Sequence, residues 1–149
     1  VRRVFEMTKE SLDTYYGELG STLGETLLTP TRIYVKALQS VKKAGVTIKG
    51  ASHITGGGFY ENIPRMLPDG IRARVDKDSY EIPAVFKLLQ ERGNIEEKVM
   101  YNTYNMGLGM VLAVSPEDAD RTMEAIRAAG ETPYRVGRCA AGEKGVDLC

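Results

Sequence analysis

Three consecutive glycines, Gly56, Gly57 and Gly58, constrain the fold of this 149-residue chain more than any other feature. Glycine loses more backbone freedom on folding than any other residue, so we expect such a run only where the chain turns or approaches another group closely. Strand-forming residues at 46–54 precede the run, and Pro68 limits any helix after it to about two turns. The sequence therefore predicts a strand, a glycine loop and a short helix in succession.

The predicted strand at 46–54 separates apolar and polar side chains onto two faces. Ile48 and Ile54 share one face under the two-residue period of a strand, whereas Lys49 and His53 share the other. His53, the only histidine of the chain, is thus expected on the polar face at the strand's end. An imidazole there suits a general acid or base, or a neutral hydrogen-bond partner. A purely structural histidine is the alternative.

The glycine loop has two interpretations. Backbone N–H groups of such a loop, together with the free N–H groups of a helix start, are suited to hold a phosphate or another anion. The alternative is a tight strand-to-helix corner without a ligand. The run matches neither G-x-x-x-x-G-K-[ST] nor G-x-G-x-x-G, so neither nucleotide-binding fold follows from it. Glu61 and Asn62 follow the loop and are candidates for polar contacts with a ligand. Glu61 is also four residues before Arg65, the spacing of an ion pair on a helix surface.

Asn105 is a second polar candidate, placed just before a strand entry that contains Gly107 and Gly109. The two glycines leave one face of that entry without side chains. The Asn105 amide is suited either to fix a polar ligand or to cap the preceding helix, and the sequence does not decide between these roles.

The rest of the chain alternates helix and strand signals. Thr29 and Pro30 predict the start of a helix that Gly45 ends, and residues 11–25 are expected to form a loop. Further helices are expected at 1–8, 83–93, 95–103 and 115–130, and further strands at 71–75, 108–114, 134–139 and 145–148. This order predicts a single α+β domain, a layered α/β/α sandwich with a mixed sheet.

Composition excludes several classes of protein. Twenty basic residues balance twenty acidic ones, so no overall field favours nucleic acid or an anionic membrane. No apolar run is long enough to span a bilayer, and the first residues lack a signal-peptide pattern. Cys139 and Cys149 lack metal-ligand spacing, so no metal site is predicted, and reduced thiols of a cytoplasmic protein are expected.

Three segments occur in the order found in one enzyme family. LLTPTRIYVKAL at 27–38, HITGGGFYENIPRMLPDG at 53–70 and MYNTYNMGLGM at 100–110 resemble the C-terminal domain of phosphoribosylformylglycinamidine cyclo-ligases. The resemblance runs from about residue 23 to the end of the chain. Because the chain also opens directly on an apparent helix, we expect it to be one domain of a larger protein, without the N-terminal domain that binds ATP and dimerises.

The resemblance implies an ATP-dependent closure of the imidazole ring of formylglycinamidine ribonucleotide. ATP would phosphorylate the formyl oxygen, and the ring amine would displace the phosphate, giving aminoimidazole ribonucleotide, ADP and phosphate. ATP and Mg²⁺ would be held mainly by the N-terminal domain of a cytoplasmic homodimer, so we expect the present chain alone to be inactive. Related enzymes of the selenophosphate synthetase or thiamine-phosphate kinase type, and a non-catalytic anion-binding module, are the alternatives.

The resemblance also assigns positions in this chain. His53 matches the family's histidine in the cleft, and the three glycines at 56–58 match the loop facing the phosphate-bearing ligand. Glu61, Asn62 and Asn105 lie in matching segments and are expected to contact substrate or phosphate.

Overall fold

The computed structural model describes all residues, 1–149. Its eight helices are α1 Arg2–Phe5, α2 Lys9–Asp13, α3 Leu23–Leu27, α4 Val35–Lys43, α5 Gly58–Arg65, α6 Ala84–Gly93, α7 Glu97–Thr103 and α8 Ala119–Ala128. Its seven strands are β1 Tyr15–Tyr16, β2 Ser21–Thr22, β3 Gly50–His53, β4 Ile71–Val75, β5 Met110–Ala113, β6 Gly137–Ala141 and β7 Gly145–Leu148. Short 3₁₀ turns occupy Lys77–Ser79 and Pro116–Asp118.

The strands form three separate sheets. β1 and β2 make an antiparallel hairpin, and β3 pairs antiparallel with β5. In the third sheet β4 is central, antiparallel to β6 and parallel to β7. The predicted α+β class and mixed sheet are confirmed, with the mixed pairing confined to the third sheet. Helix α5 contacts both β3 and the β4–β7 pair, so the segment after the glycine run joins two of the sheets.

The predicted start of the fourth helix at Pro30 is wrong, because Thr29 takes part in ending α3. The Thr29 hydroxyl donates to the Glu25 carbonyl at 3.3 Å, and its N–H donates to the Thr26 carbonyl at 3.3 Å. Helix α4 begins only at Val35, after Tyr34. The segment 28–34 therefore crosses the surface as an irregular strap.

The predicted loop at 11–25 is also wrong, since it contains the β1–β2 hairpin and the start of α3. Thr22 and Glu25 form a capping box. The Thr22 hydroxyl accepts the Glu25 N–H at 3.2 Å, and the Glu25 carboxylate accepts the Thr22 N–H at 2.9 Å. That hydrogen bond lowers the pKa of Glu25 below its ordinary value. The Thr-x-x-Glu spacing was a readable signal for this helix start.

The main core is built around α5 and α7. Phe59 and Tyr101 are both at most 1% exposed, and their rings meet edge to face at 5.1 Å. Such an aromatic pair stabilises the fold beyond its buried area, by about 1 kcal/mol. Other fully buried members of this core are Leu23, Ile54, Ile63 and Met100. The first turn of α5 is thus fixed by the core, and with it the end of the glycine loop.

Candidate functional site

His53 is the last residue of β3 and lies opposite Met110 of β5. Its side chain is exposed, as the strand phase predicts, while its neighbours Ser52 and Ile54 are buried. Neither ring nitrogen makes a hydrogen bond within the chain. The one aromatic neighbour is Tyr34, whose ring centroid is 6.0 Å from that of His53 at an interplanar angle of 68°. Both nitrogens therefore remain available to a ligand.

The three glycines that follow are not equivalent. Gly57 and Gly58 have φ values of 93° and 55°, in the left-handed region that favours glycine. A Cβ on Gly58 would overlap the backbone carbonyl of Tyr101, and one on Gly57 would lie 2.5 Å from a carboxylate oxygen of Glu61. A Cβ on Gly56 would meet nothing within 4 Å. Packing thus requires Gly58 and leaves Gly56 open to the surroundings.

Hydrogen bonding leaves this loop rich in free donors. The carbonyls of Thr55 and Gly57 accept the N–H groups of Gly58 and Glu61, at 3.0 and 3.1 Å. The carbonyls of Gly56 and Gly58 accept from the side chain of Asn62. By contrast, the backbone N–H groups at positions 56, 57, 59 and 60 donate to no group of the chain. The last two belong to the first turn of α5, where the helix dipole adds a partial positive charge.

The Asn62 side chain hydrogen-bonds to the backbone of the glycine loop from inside the protein. It is 4% exposed, and its Nδ2 donates to the carbonyls of Thr55, Gly56 and Gly58 at 3.4, 3.1 and 2.7 Å. Its Oδ1 accepts a hydrogen bond from Arg65 at 3.3 Å. The structure therefore places this candidate against the loop backbone, where it determines the loop's shape.

Replacing Asn62 by alanine should destabilise the chain by about 1–3 kcal/mol, because its hydrogen bonds to the loop carbonyls, including the buried one to Gly58, are lost. Thermal or urea unfolding monitored by circular dichroism measures this. Arg65→Ala is the matched control, since Arg65 is exposed and touches only the opposite end of the amide. Equal effects of the two substitutions would contradict the assigned role of Asn62.

Glu61 is exposed, and its carboxylate lies 3.7 Å from the Arg65 guanidinium. The predicted i,i+4 pair is confirmed, although an exposed pair of this kind contributes little to stability. The proline between them, Pro64, lies in the last turn of α5, because the helix already begins at Gly58. The carboxylate leans over Gly57, beside the free N–H groups. Arg65 offsets its negative charge there.

Asn105 shapes the turn that enters β5. Its Oδ1 accepts the Gly107 N–H at 3.0 Å, and Met106 between them has a φ of 48°. The end of α7 is closed by the backbone N–H of Tyr104 and not by Asn105. Of the two roles considered, capping of the helix is therefore not observed. The amide nitrogen of the half-buried Asn105 has no partner in the chain.

Sequence reasoning missed Tyr34, which lies beside His53 and Gly109. A Cβ on Gly109 would overlap the Tyr34 hydroxyl, so this ring occupies the face that the two glycines leave bare. Burial raises the pKa of Tyr34 above its ordinary value, and the phenol is neutral at physiological pH. In the sequence, only the absence of a side chain at Gly109 indicated that another residue packs there, and it did not identify that residue as Tyr34.

Other parts of the surface do not add to this site. A depression of about 400 Å³ lies between α4 and α8 and is lined by Ser40, Lys43 and Arg121 among others, none of which is a candidate site residue. No three His, Cys, Asp or Glu residues come together to hold a metal ion. None of the helices has the length and hydropathy of a membrane span.

Comparison with solved structures finds the same fold in a protein of different sequence. The hydrogenase maturation protein HypE of E. coli superimposes with a TM-score of 0.61 at 17% identity, over 89% of this chain and 43% of HypE. At this identity the likeness shows the fold alone.

Comparison with curated sequences finds much more similar relatives. Phosphoribosylformylglycinamidine cyclo-ligases of Lachnospira eligens and Agathobacter rectalis are 68% and 67% identical over 149 and 148 residues. The cyclo-ligase of Geobacillus kaustophilus is 53% identical over 143 residues. The chain spans 44%, 43% and 41% of the length of these three relatives. A family model described as "AIR synthase related protein, C-terminal domain" matches residues 1–148, and the chain belongs to this family.

Proposed function

We propose that this chain is the C-terminal domain of an ATP-dependent phosphoribosylformylglycinamidine cyclo-ligase, which closes the imidazole ring of aminoimidazole ribonucleotide in purine synthesis. The observation that carries the proposal is the donor-rich glycine loop directly after the exposed His53. A loop whose carbonyls are occupied and whose N–H groups are free suits a phosphate. The relatives that match the chain over its whole length have this activity as their name.

In the proposed reaction the formyl oxygen of the substrate attacks the γ-phosphorus of ATP, and ADP leaves. The amine then attacks the activated carbon, the C–O bond breaks, and phosphate leaves with closure of the ring. The N–H groups of Gly56 and Gly57 bind a phosphate-bearing ligand, and Asn62 keeps them in place. His53 stands at the edge of this loop, where its imidazole transfers a proton or orients the substrate. We also propose that Asn105, and Glu61 with Arg65, border the same cleft.

We further propose that an N-terminal domain of the same protein completes this cleft. It would hold ATP and its Mg²⁺ and form the homodimer of a cytoplasmic enzyme. The strap at 28–34 is evidence for such a partner near the site. Its large apolar side chains Leu28 and Ile33 are 81% and 80% exposed, and exposed apolar side chains of this kind favour contact with another protein surface. This strap leads directly into Tyr34, the neighbour of His53. The donor loop fits a phosphate group, whereas the residues of this chain do not assemble a magnesium site.

Activity assays on the intact protein and on the 149-residue chain test the proposal. With formylglycinamidine ribonucleotide and ATP, the intact protein should release ADP and aminoimidazole ribonucleotide. The chain alone should be slower by about 10⁵-fold or more, because positioning of the two substrates is lost. Comparable turnover by the chain alone would contradict the two-domain site. Activity of the intact protein with selenide or thiamine phosphate, and none with the ribonucleotide, would favour the related enzymes.

A further inference from the structure

Tyr34 connects three parts of the molecule at the edge of the candidate site. It precedes α4, and its carbonyl accepts the Leu38 N–H at 3.0 Å as the first bond of that helix. Its ring meets His53 edge-on, and its hydroxyl lies against Gly109. Helix α4 is itself anchored to the small core of Val41, Val46 and Ala125. The tyrosine thus lies where the surface strap at 28–34 joins the packed helix α4.

Gly109 shows that this arrangement is tight. Its carbonyl accepts the Ile54 N–H at 2.9 Å, so its backbone continues the β3–β5 ladder beyond His53. Its φ is not positive, and its backbone conformation is therefore one that any residue can adopt. The three atoms nearest to a Cβ there all belong to the Tyr34 side chain. A small residue is needed at 109 because the tyrosine is there.

We propose, on the basis of the function proposed above, that Tyr34 is a positioning residue that holds the His53 imidazole in one orientation toward the ligand. An exposed side chain at a strand end otherwise samples several rotamers. The aromatic edge contact restricts that choice and leaves both ring nitrogens without a hydrogen-bond partner in the chain. Tyr34 therefore acts through His53, and Gly109 provides the space in which the tyrosine ring lies.

The contact is tested first in the 149-residue chain, where His53 is the only histidine. Its imidazole proton resonances in an NMR spectrum are therefore assigned without ambiguity. Tyr34→Leu should move these resonances, because the ring current of Tyr34 is removed, whereas Tyr34→Phe should leave them nearly unchanged. Circular dichroism confirms that each variant is folded. Identical resonances in folded wild-type and Tyr34→Leu chains would overturn the proposal.

The catalytic consequence is tested in the intact protein. Tyr34→Leu should lower kcat by about 10–100-fold with KM little changed, since a misplaced group of this kind costs up to that amount. Tyr34→Phe should keep kcat within about 2-fold, because the aromatic edge remains. A loss in Tyr34→Phe equal to that in Tyr34→Leu, or a change in KM alone, would contradict positioning through the ring. An intact protein without cyclo-ligase activity would refute the proposed function, while the NMR result would still decide the contact.

A double-mutant cycle links Tyr34 to Gly109. Gly109→Ala should displace the tyrosine and lower kcat about as much as Tyr34→Ala does. In the Tyr34→Ala background the same alanine has space, so it should have little further effect. Additive losses from the two substitutions would show that Gly109 serves another purpose and would count against the proposal.

Discussion

Replacing Gly58 by alanine is expected to destabilise the chain by about 3 kcal/mol or more, the largest effect on stability among the loop positions. Two independent costs combine. The residue has a φ of 55°, which an alanine adopts only with strain, and its Cβ would overlap the Tyr101 carbonyl. Tyr101 is 1% exposed in the main core and cannot give way without moving α7. Denaturant unfolding of the variant measures the loss.

Gly56→Ala is the matched control, two positions earlier in the same loop. Its Cβ would enter open space and its φ is not positive, so the free energy of unfolding should change by less than about 0.5 kcal/mol. An equally stable Gly58→Ala chain would mean that α5 does not pack against α7 as described. Because Gly56→Ala adds a methyl group beside a free N–H, it also allows ligand binding to be tested in a folded chain.

His53→Ala in the intact protein should lower kcat by about 10²-fold or more while the protein remains folded. The imidazole is exposed and makes no hydrogen bond within the chain, so its removal should cost little stability. A large loss of turnover with unchanged unfolding therefore separates a functional histidine from a structural one. Steady-state kinetics with formylglycinamidine ribonucleotide and ATP, together with thermal unfolding, provide both measurements.

Ala51→Ser serves as the control for His53, since Ala51 is exposed on the same strand, two residues earlier. Its turnover should equal that of the wild type. If His53→Ala retained full activity, the glycine loop would be better explained as part of an anion-binding module. His53→Gln adds a further distinction, because a glutamine can orient a substrate but does not transfer a proton at neutral pH. Recovery of activity by glutamine would favour orientation.

Local patterns were enough to predict several elements of the fold, although the strand predicted at 46–54 forms only over β3, Gly50–His53. The predicted strands 71–75 and 145–148 coincide with β4 and β7, and the predicted helix 83–93 matches α6 within one residue. The exposed position of His53 followed from the alternation of side chains along β3. These features depend on residues that are neighbours in sequence.

Features that depend on distant contacts were not predictable. The strand expected at 134–139 begins three residues later in the structure, as β6 at Gly137–Ala141, where it pairs with β4. The segment after Thr29 carries a valid helix-start pattern, but Thr29 itself is used at the end of α3. Tyr34 meets His53 only because α4 and the β3–β5 pair come together in the fold. Asn62 was predicted as a polar candidate, yet its three carbonyl partners are visible only in the folded loop.

The hydrogen bonds of Asn62 also have a consequence for the charge of a ligand that the loop backbone would favour. Each loop carbonyl that receives a hydrogen bond is one oxygen fewer that can face a cation. With the carbonyls from Thr55 to Gly58 all occupied from inside the chain, the backbone groups that the loop leaves unpaired are hydrogen-bond donors. We therefore expect the loop backbone to favour an anion over a metal ion, through an amide that lies inside the chain.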